Sequence, residues 1–107
     1  MLEPLEKPIT QDYLLGGRVK IRQPAGGYRV AIDPILLAAS IQPDPGSTIL
    51  DVGSGVGAAS LCLAVRSPEC RIIGLETQRE AVRIAYDNIE LNGLRNRVEI
   101  LCGDLLK

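Results

Sequence analysis

The sequence predicts an α/β fold, a parallel sheet with helices on both faces, and three observations predict it. Thr48-Ile49-Leu50-Asp51-Val52 is an apolar run entering a glycine-rich turn, Gly53-Ser54-Gly55-Val56-Gly57. Two further apolar runs, 71–76 and 98–102, each deliver an acid at the carboxyl end: Glu76 closes the first and Asp104 follows the second. The segments between these runs repeat apolar residues at helical rather than strand intervals. Strand, helix, strand, helix, strand implies right-handed crossovers and parallel pairing, with the third strand beside the second and the second beside the first.

Taken in chain order, residues 1–12 are polar and contain Pro4 and Pro8, which suggests an arm or a loosely held lead-in. Arg18-Val19-Lys20-Ile21-Arg22 alternates with period two, and Pro24-Ala25-Gly26-Gly27 supplies a turn before Tyr28-Arg29-Val30-Ala31-Ile32. This pattern predicts a β-hairpin with Val19 and Ile21 facing the body. Asp33-Pro34 then sets an N-cap and a first-turn proline for a short helix through Ile35 to Ala39, ended by Pro43 and Pro45-Gly46. The hairpin and lead-in helix form one unit, residues 1–46, and the sheet forms a second, residues 47–107. Within the second unit, Ala58 to Val65 is a helix of small residues and leucines stopped at Ser67-Pro68. Thr77-Gln78-Arg79-Glu80 has the spacing of a capping box, Val82, Ala85 and Ile89 follow on one helical face, and Asn92-Gly93 stops that helix.

Composition narrows the chemistry. The chain has 107 residues, a formal net charge of −1, three tyrosines and no phenylalanine or tryptophan, which fits one globular domain. It contains no histidine, which removes Ser-His-Asp and Cys-His catalysis and mixed Cys/His zinc sites, and no metal ligand set is predicted. Cys62, Cys70 and Cys102 lack C-x-x-C spacing, and an odd number of thiols in aliphatic surroundings suggests buried cysteines in a reducing compartment. No apolar run is long enough to span a bilayer and no signal peptide is evident, so a cytoplasmic location is expected.

The glycine turn and the acids point to a ligand. Glycines allow positive φ and a close approach of backbone to ligand, and the amides opening the next helix face the same pocket. Gly53, Gly55 and Ala58 also satisfy the looser pattern of a dinucleotide site, but Asp51 beside the turn would repel a pyrophosphate. The same carboxylate would attract a ligand carrying an ammonium and a sulfonium. Glu76, roughly twenty residues past the turn, stands where such folds hold ribose hydroxyls. Each acid alone could be a helix cap or a solvated carboxylate; three at strand ends sharing one sheet edge favour a site.

As a set, Asp-x-Gly-x-Gly-x-Gly over 51–57, Glu76 and Gly103-Asp104 resemble the first three motifs of class I S-adenosylmethionine-dependent methyltransferases, which are Rossmann-like. The lead-in, Tyr13-Leu14-Leu15-Gly16-Gly17-Arg18 through Gly27-Tyr28-Arg29-Val30 and Ile32-Asp33-Pro34-Ile35-Leu36-Leu37, is similar to that of the small-methyltransferase group. Within that group it most resembles the bacterial proteins placed with the tRNA(Val) adenine-N6-methyltransferases. The resemblance implies S-adenosylmethionine as cofactor, with Gly53, Ser54, Gly55 and Gly57 under its methionine part and Asp51 near its ammonium. It further implies Glu76 on the ribose hydroxyls, Thr77 lining the same pocket and Asp104 accepting from the adenine amino group. Asp33 matches an acid of the family lead-in and equally fits a plain helix cap.

That family holds its acceptor with an Asn-Pro-Pro-Tyr motif after a fourth strand, and these 107 residues contain no Pro-Pro pair. The expectation is therefore a fragment or a truncated product that carries the cofactor-binding part, stops before the fourth strand and contains no catalytic residue. The first strand would then present a free apolar edge open to self-association or to a partner chain. Arg18, Lys20 and Arg22 at alternate positions, with Arg29 on the partner strand, make a basic stripe that could meet nucleic-acid phosphates or simply be a solvated face. Four readings stay open. They are an N-methyltransferase acting on a base in tRNA or another nucleic acid, a protein glutamine N-methyltransferase, a non-catalytic adenosyl-binding module, and half of a dinucleotide oxidoreductase, which Asp51 opposes.

Overall fold

The computed structural model of the protein describes residues 8–24 and 42–103. A two-stranded antiparallel hairpin, β1 (Ile9–Leu14) and β2 (Val19–Pro24), precedes a three-stranded parallel sheet. The sheet consists of β3 (Thr48–Val52), β4 (Arg71–Glu76) and β5 (Val98–Cys102) in the order β3-β4-β5, as the crossover argument requires. Helix α1 (Ala58–Arg66) connects β3 to β4, and α2 (Arg79–Leu91) connects β4 to β5.

Register decides which face of the sheet is covered. Ile72 pairs with Ile49 and Val98, and Gly74 with Asp51 and Ile100, so these residues share one face. Ile72, Val98 and Ile100 join Leu61, Cys62 and Ala64 of α1 and Val82, Ala85 and Ile89 of α2 in a single core. Both described helices therefore pack on that face, as two successive right-handed crossovers stepping in one direction must. The opposite face carries Leu50 at 53%, Val52 at 58% and Leu101 at 46% exposure. The expected helices on both faces are thus seen on one face among the described residues.

The hairpin differs from its expected pairing. β2 pairs with the upstream segment, Leu14 opposite Val19 and Ile9 opposite Pro24, across a turn at residues 15–18 in which Gly16 and Gly17 take φ of 62° and 91°. The lead-in thus contains a strand, hidden in the sequence because its inward positions are Thr10, Asp12 and Leu14 rather than an apolar row. Gln23 satisfies the two polar ones: its Nε2 donates to Asp12 Oδ2 at 2.7 Å, and its carbonyl accepts from Thr10 Oγ1 at 3.3 Å. Val19 and Ile21 do face the core, fully buried. The expected partner strand, 28–32, and the lead-in helix, 35–39, lie outside the described residues.

The outer edge of β2 is closed by two side chains. Asn88 Oδ1 accepts from Arg22 N–H at 2.8 Å and its Nδ2 donates to Arg22 O at 3.0 Å. Asn92 repeats the arrangement on Lys20, at 2.8 and 2.7 Å. Four helical residues rise about 6 Å and two strand residues about 6.8 Å, so asparagines four apart on α2 match alternate residues of β2. Each amide takes the place of a neighbouring strand, which covers one of the two edges a two-stranded ribbon would otherwise expose.

Helix ends show where local signals hold and where tertiary contacts replace them. Gly93, at φ 67°, ends α2, with Gly93 N–H on Glu90 O and Leu94 N–H on Ile89 O, the double bond of a Schellman stop. The expected capping box does not form. The helix starts one residue later than the box requires: Gln78 is the N-cap and has no side-chain cap bond, and its own N–H is held by the Glu76 carboxylate at 3.0 Å. The C-terminus of α1 is held from a distance: the Arg97 guanidinium donates to the carbonyls of Ala64, Ser67 and Cys70.

Gly74 is required by packing. A Cβ there would lie 2.5 Å from Ile100 Cδ1 and 2.8 Å from both Cβ and Oγ of Ser54. The isoleucine tip can rotate; Ser54, fixed in the turn, cannot. Gly74→Ala is therefore expected to destabilise the chain by about 1–3 kcal/mol. Thermal melting checks this, and an unchanged midpoint would count against so close an approach.

Candidate ligand site at the carboxyl edge of the sheet

The turn between β3 and α1 is built from backbone groups. Gly53 and Ser54 both donate N–H to Leu75 O, at 2.7 and 3.1 Å, which lays the turn across the end of β4. Gly53 and Gly55 adopt φ of 73° and 56°, and a Cβ at either position would meet nothing within 4 Å. Backbone conformation, not crowding, demands glycine at both, and the space beside them is open. Gly57, at φ 95°, is the N-cap of α1, and its N–H returns to Ser54 O at 2.9 Å.

Three of the four peptides from 53 to 57 are held by other groups. Gly55 N–H donates to Glu76 Oε1 at 2.8 Å, and Val56 O accepts from Asn88 Nδ2 at 2.9 Å. The peptide joining Gly55 to Val56 has no hydrogen-bond partner among the described residues. Ser54 Oγ is likewise buried with no partner among the described residues. The first-turn amides of α1 add donors that no helix can satisfy internally. A turn with unfilled donors at the mouth of a helix suits a ligand with acceptor groups.

Beside the turn stand two acids. Asp51 accepts from Ser60 Oγ at 2.6 Å. Its pKa lies above the ordinary value of 3.8, chiefly because burial disfavours the charge; the Ser60 bond opposes this and the nearby Glu76 carboxylate adds to it. Glu76 has each oxygen on a backbone amide, Gly55 and Gln78, leaving lone pairs for hydroxyl donors. Among the described residues no lysine or arginine pairs with either acid. Two carboxylates that repel each other, near a turn rich in donors, favour a ligand that is cationic at one end and bears hydroxyls further along.

The structure gathers Asp51, Gly53, Ser54, Gly55, Gly57 and Glu76 at one edge. Thr77 is exposed on the rim, where its carbonyl is 3.8 Å from Cys102 Sγ. Asp104 and Asp33 lie outside the described residues. Gly103, the neighbour of Asp104, donates its N–H to Glu76 O at 2.9 Å, which brings the chain alongside the second acid. Sequence reasoning missed Ser60, Gly74 and Asn88. The available signal for Asn88 was a polar residue between Ala85 and Ile89, on the apolar stripe of α2.

The basic stripe is only partly formed. Lys20 and Arg22 are exposed on β2, but Arg18 has left the strand for the turn, where its guanidinium reaches Val65 O at 3.4 Å. Arg29 lies outside the described residues. A cavity of about 370 Å³ between the hairpin and α2 is lined by Arg22, Arg83 and Asp87 with Thr10, Gln11 and two isoleucines, so both signs of charge meet there. The expectation of three buried thiols fails at Cys102, which is exposed at the end of β5; Cys62 and Cys70 are buried. Burial pushes the Cys62 thiol up to about 11, only partly offset by Arg66, which keeps it protonated and inert. Among the described residues no group of His, Cys, Asp and Glu is arranged to hold a metal, and no helix is long and apolar enough to cross a membrane.

A parallel sheet whose carboxyl edge carries a glycine turn and two strand-end acids defines a nucleotide-type α/β ligand-binding domain. More narrowly, the chain belongs to the methyltransferase small domain family, whose profile matches residues 29–107. It is 37% identical over 87 residues to the tRNA1(Val) (adenine(37)-N6)-methyltransferase of Histophilus somni, an alignment covering 80% of this chain and 37% of that protein. The release factor glutamine methyltransferase of Thermodesulfovibrio yellowstonii is 28% identical over 107 residues, covering 96% of this chain and 38% of that one. Among solved structures, P. horikoshii TYW2 in complex with MeSAdo matches with a TM-score of 0.73 at 21% identity, covering 90% of this chain and 36% of its own, a likeness of fold. The chain thus spans little more than a third of the length of these curated relatives.

The state of Asp51 gives a signed prediction. Because its folded pKa is raised, the stability it contributes is complete below 3.8 and is lost as pH climbs through the folded value. Asp51→Asn keeps an acceptor for Ser60 and removes the buried charge. It is expected to melt higher than the parent at pH 7, with the gap closing as pH falls toward 3.8. A variant that melts lower at pH 7 would show that the ionised carboxylate is stabilised, not strained.

Proposed function

We propose that the chain is the cofactor-binding part of an S-adenosylmethionine-dependent N-methyltransferase acting on a base in tRNA or another nucleic acid. The observation that carries this reading is the pairing of a donor-rich glycine turn with two acids that lack a cationic partner among the described residues. S-adenosylmethionine offers the complement: a carboxylate for the turn, an ammonium and a sulfonium for the acids, and a ribose diol. Gly53, Ser54, Gly55 and Gly57 would support its methionine part, Asp51 its ammonium and Glu76 its ribose. Thr77 and Asp104, within a unit spanning residues 47–107, and Asp33 of the lead-in unit are proposed to complete the pocket. When bound, the cofactor supplies an electrophilic methyl group; these residues hold and orient it, and none is assigned a part in the transfer itself. The identity to the tRNA1(Val) enzyme supports the nucleic-acid acceptor.

A second reading, a protein glutamine acceptor, draws on the release factor glutamine methyltransferase among the relatives. In either case a cytoplasmic location is proposed. Self-association or a partner chain through the edge of β3 is a further proposal, motivated by its terminal place in the sheet, where it pairs only with β4 among the described residues.

Calorimetric titration tests the main reading. The chain is expected to bind S-adenosylmethionine and S-adenosylhomocysteine but not NADH. Glu76→Ala should weaken both adenosyl ligands by at least about tenfold, the cost of hydroxyls and amides left without their acceptor. Binding of NADH in preference, or adenosyl binding untouched by the substitution, would remove the reading.

A further inference from the structure

The Asn88 side chain is fully buried and makes three hydrogen bonds to two distant segments. Its oxygen and one amide hydrogen hold Arg22 of the hairpin; its other hydrogen holds Val56 of the glycine turn. The peptide joining Val56 to Gly57 is rigid and planar, so fixing its carbonyl from α2 also orients its N–H, which lies on Ser54 O at 2.9 Å. Ser54 O in turn belongs to the peptide whose N–H, from Gly55, reaches Glu76. The Gly55–Val56 peptide, unpartnered among the described residues, lies between these two held peptides, so the N–H it can offer the proposed ligand is oriented in part by one amide that the hairpin holds in place. Asn92, one turn further along α2, grips the same strand but bonds back to Asn88 O rather than to the turn.

We propose that Asn88 is a positioning residue for the cofactor turn and that, through it, docking of the N-terminal hairpin and binding of the adenosyl ligand reinforce each other. Undocking the hairpin leaves a buried amide with unmet bonds, free to release Val56; a ligand seated on the turn holds Val56 where Asn88, and hence Arg22, are satisfied. Coupling of this kind is reciprocal, so a partner that grips the hairpin tightens the cofactor, and the cofactor tightens the hairpin. The ligand half of the proposal rests on the adenosyl reading above.

The test compares the whole chain as wild type, Asn88→Ala and Asn92→Ala, with S-adenosylhomocysteine as probe and backbone amide exchange as a second readout. Asn88→Ala is expected to raise the Kd about tenfold. Asn92→Ala, which loosens the same strand without touching the turn, is expected to leave it within about twofold. In the wild type the ligand should slow exchange of the Arg22 amide. A residue that merely stabilised the fold would make the two variants equal, and that result overturns the proposal. If the wild type binds no adenosyl ligand, the functional reading fails separately, and ligand-free exchange decides. Faster exchange at Gly55 and Gly57 in Asn88→Ala but not in Asn92→Ala supports the proposal, and equal exchange overturns it. If Asn88→Ala does not fold, the wild type alone decides: a ligand-dependent slowing at Arg22 supports the coupling, and an unchanged rate overturns it.

Discussion

The site depends on one carboxylate placed between two backbone amides. Glu76 ends β4, accepts from Gly55 N–H across the sheet edge and accepts from Gln78 N–H at the start of α2. Hydrogen bonds to an ionised acceptor are roughly twice as strong as neutral ones, so this group fixes the glycine turn relative to the next helix. The same contact lies at the start of α2, where Gln78 and not Thr77 is the N-cap. It also keeps a second negative charge close enough to Asp51 to favour protonation of that buried acid. Glu76 thus ties the turn to the start of α2 and adds to the local negative charge.

A second constraint reaches the turn from the other side. The hairpin packs on α2 through amide pairs on alternate residues of β2, and one of those amides continues to Val56. The turn is thereby clamped between the end of β4 and the middle of α2. Gly74 permits the arrangement from below, since any side chain there would displace Ser54. Beneath these polar contacts lies a single aliphatic core without phenylalanine or tryptophan, whose small and branched side chains let α1 approach the sheet closely. Rigidity at the turn lowers the cost of ordering it around a ligand.

Sequence reasoning located the features that local chemistry determines. The three parallel strands were visible as apolar runs, α2 as a repeat at Val82, Ala85 and Ile89, its end as Asn92-Gly93, and Asp51 and Glu76 as acids near the strand ends. Features set by distant contacts were not. β1 escaped because its inward face is Thr10, Asp12 and Leu14, polar groups that are acceptable only because Gln23 meets them. Arg97 gives no local sign that it holds the end of α1, some thirty residues earlier in the chain. Ser60 looked like one more small helical residue, and only the fold brings its hydroxyl to Asp51. Alternation placed Arg18 on the same face as Lys20 and Arg22, whereas the glycines at 16 and 17 draw it into the turn.

The most direct measurement is the assigned backbone amide spectrum of the chain during titration with S-adenosylhomocysteine. A ligand seated on the glycine turn and on Glu76 predicts the largest shifts at Gly53, Gly55, Val56 and Gly57, together with Gln78, whose amide shares the Glu76 carboxylate. Saturable shifts confined to other parts of the chain, or no shifts in a folded sample, would contradict an adenosyl site at the carboxyl edge of this sheet.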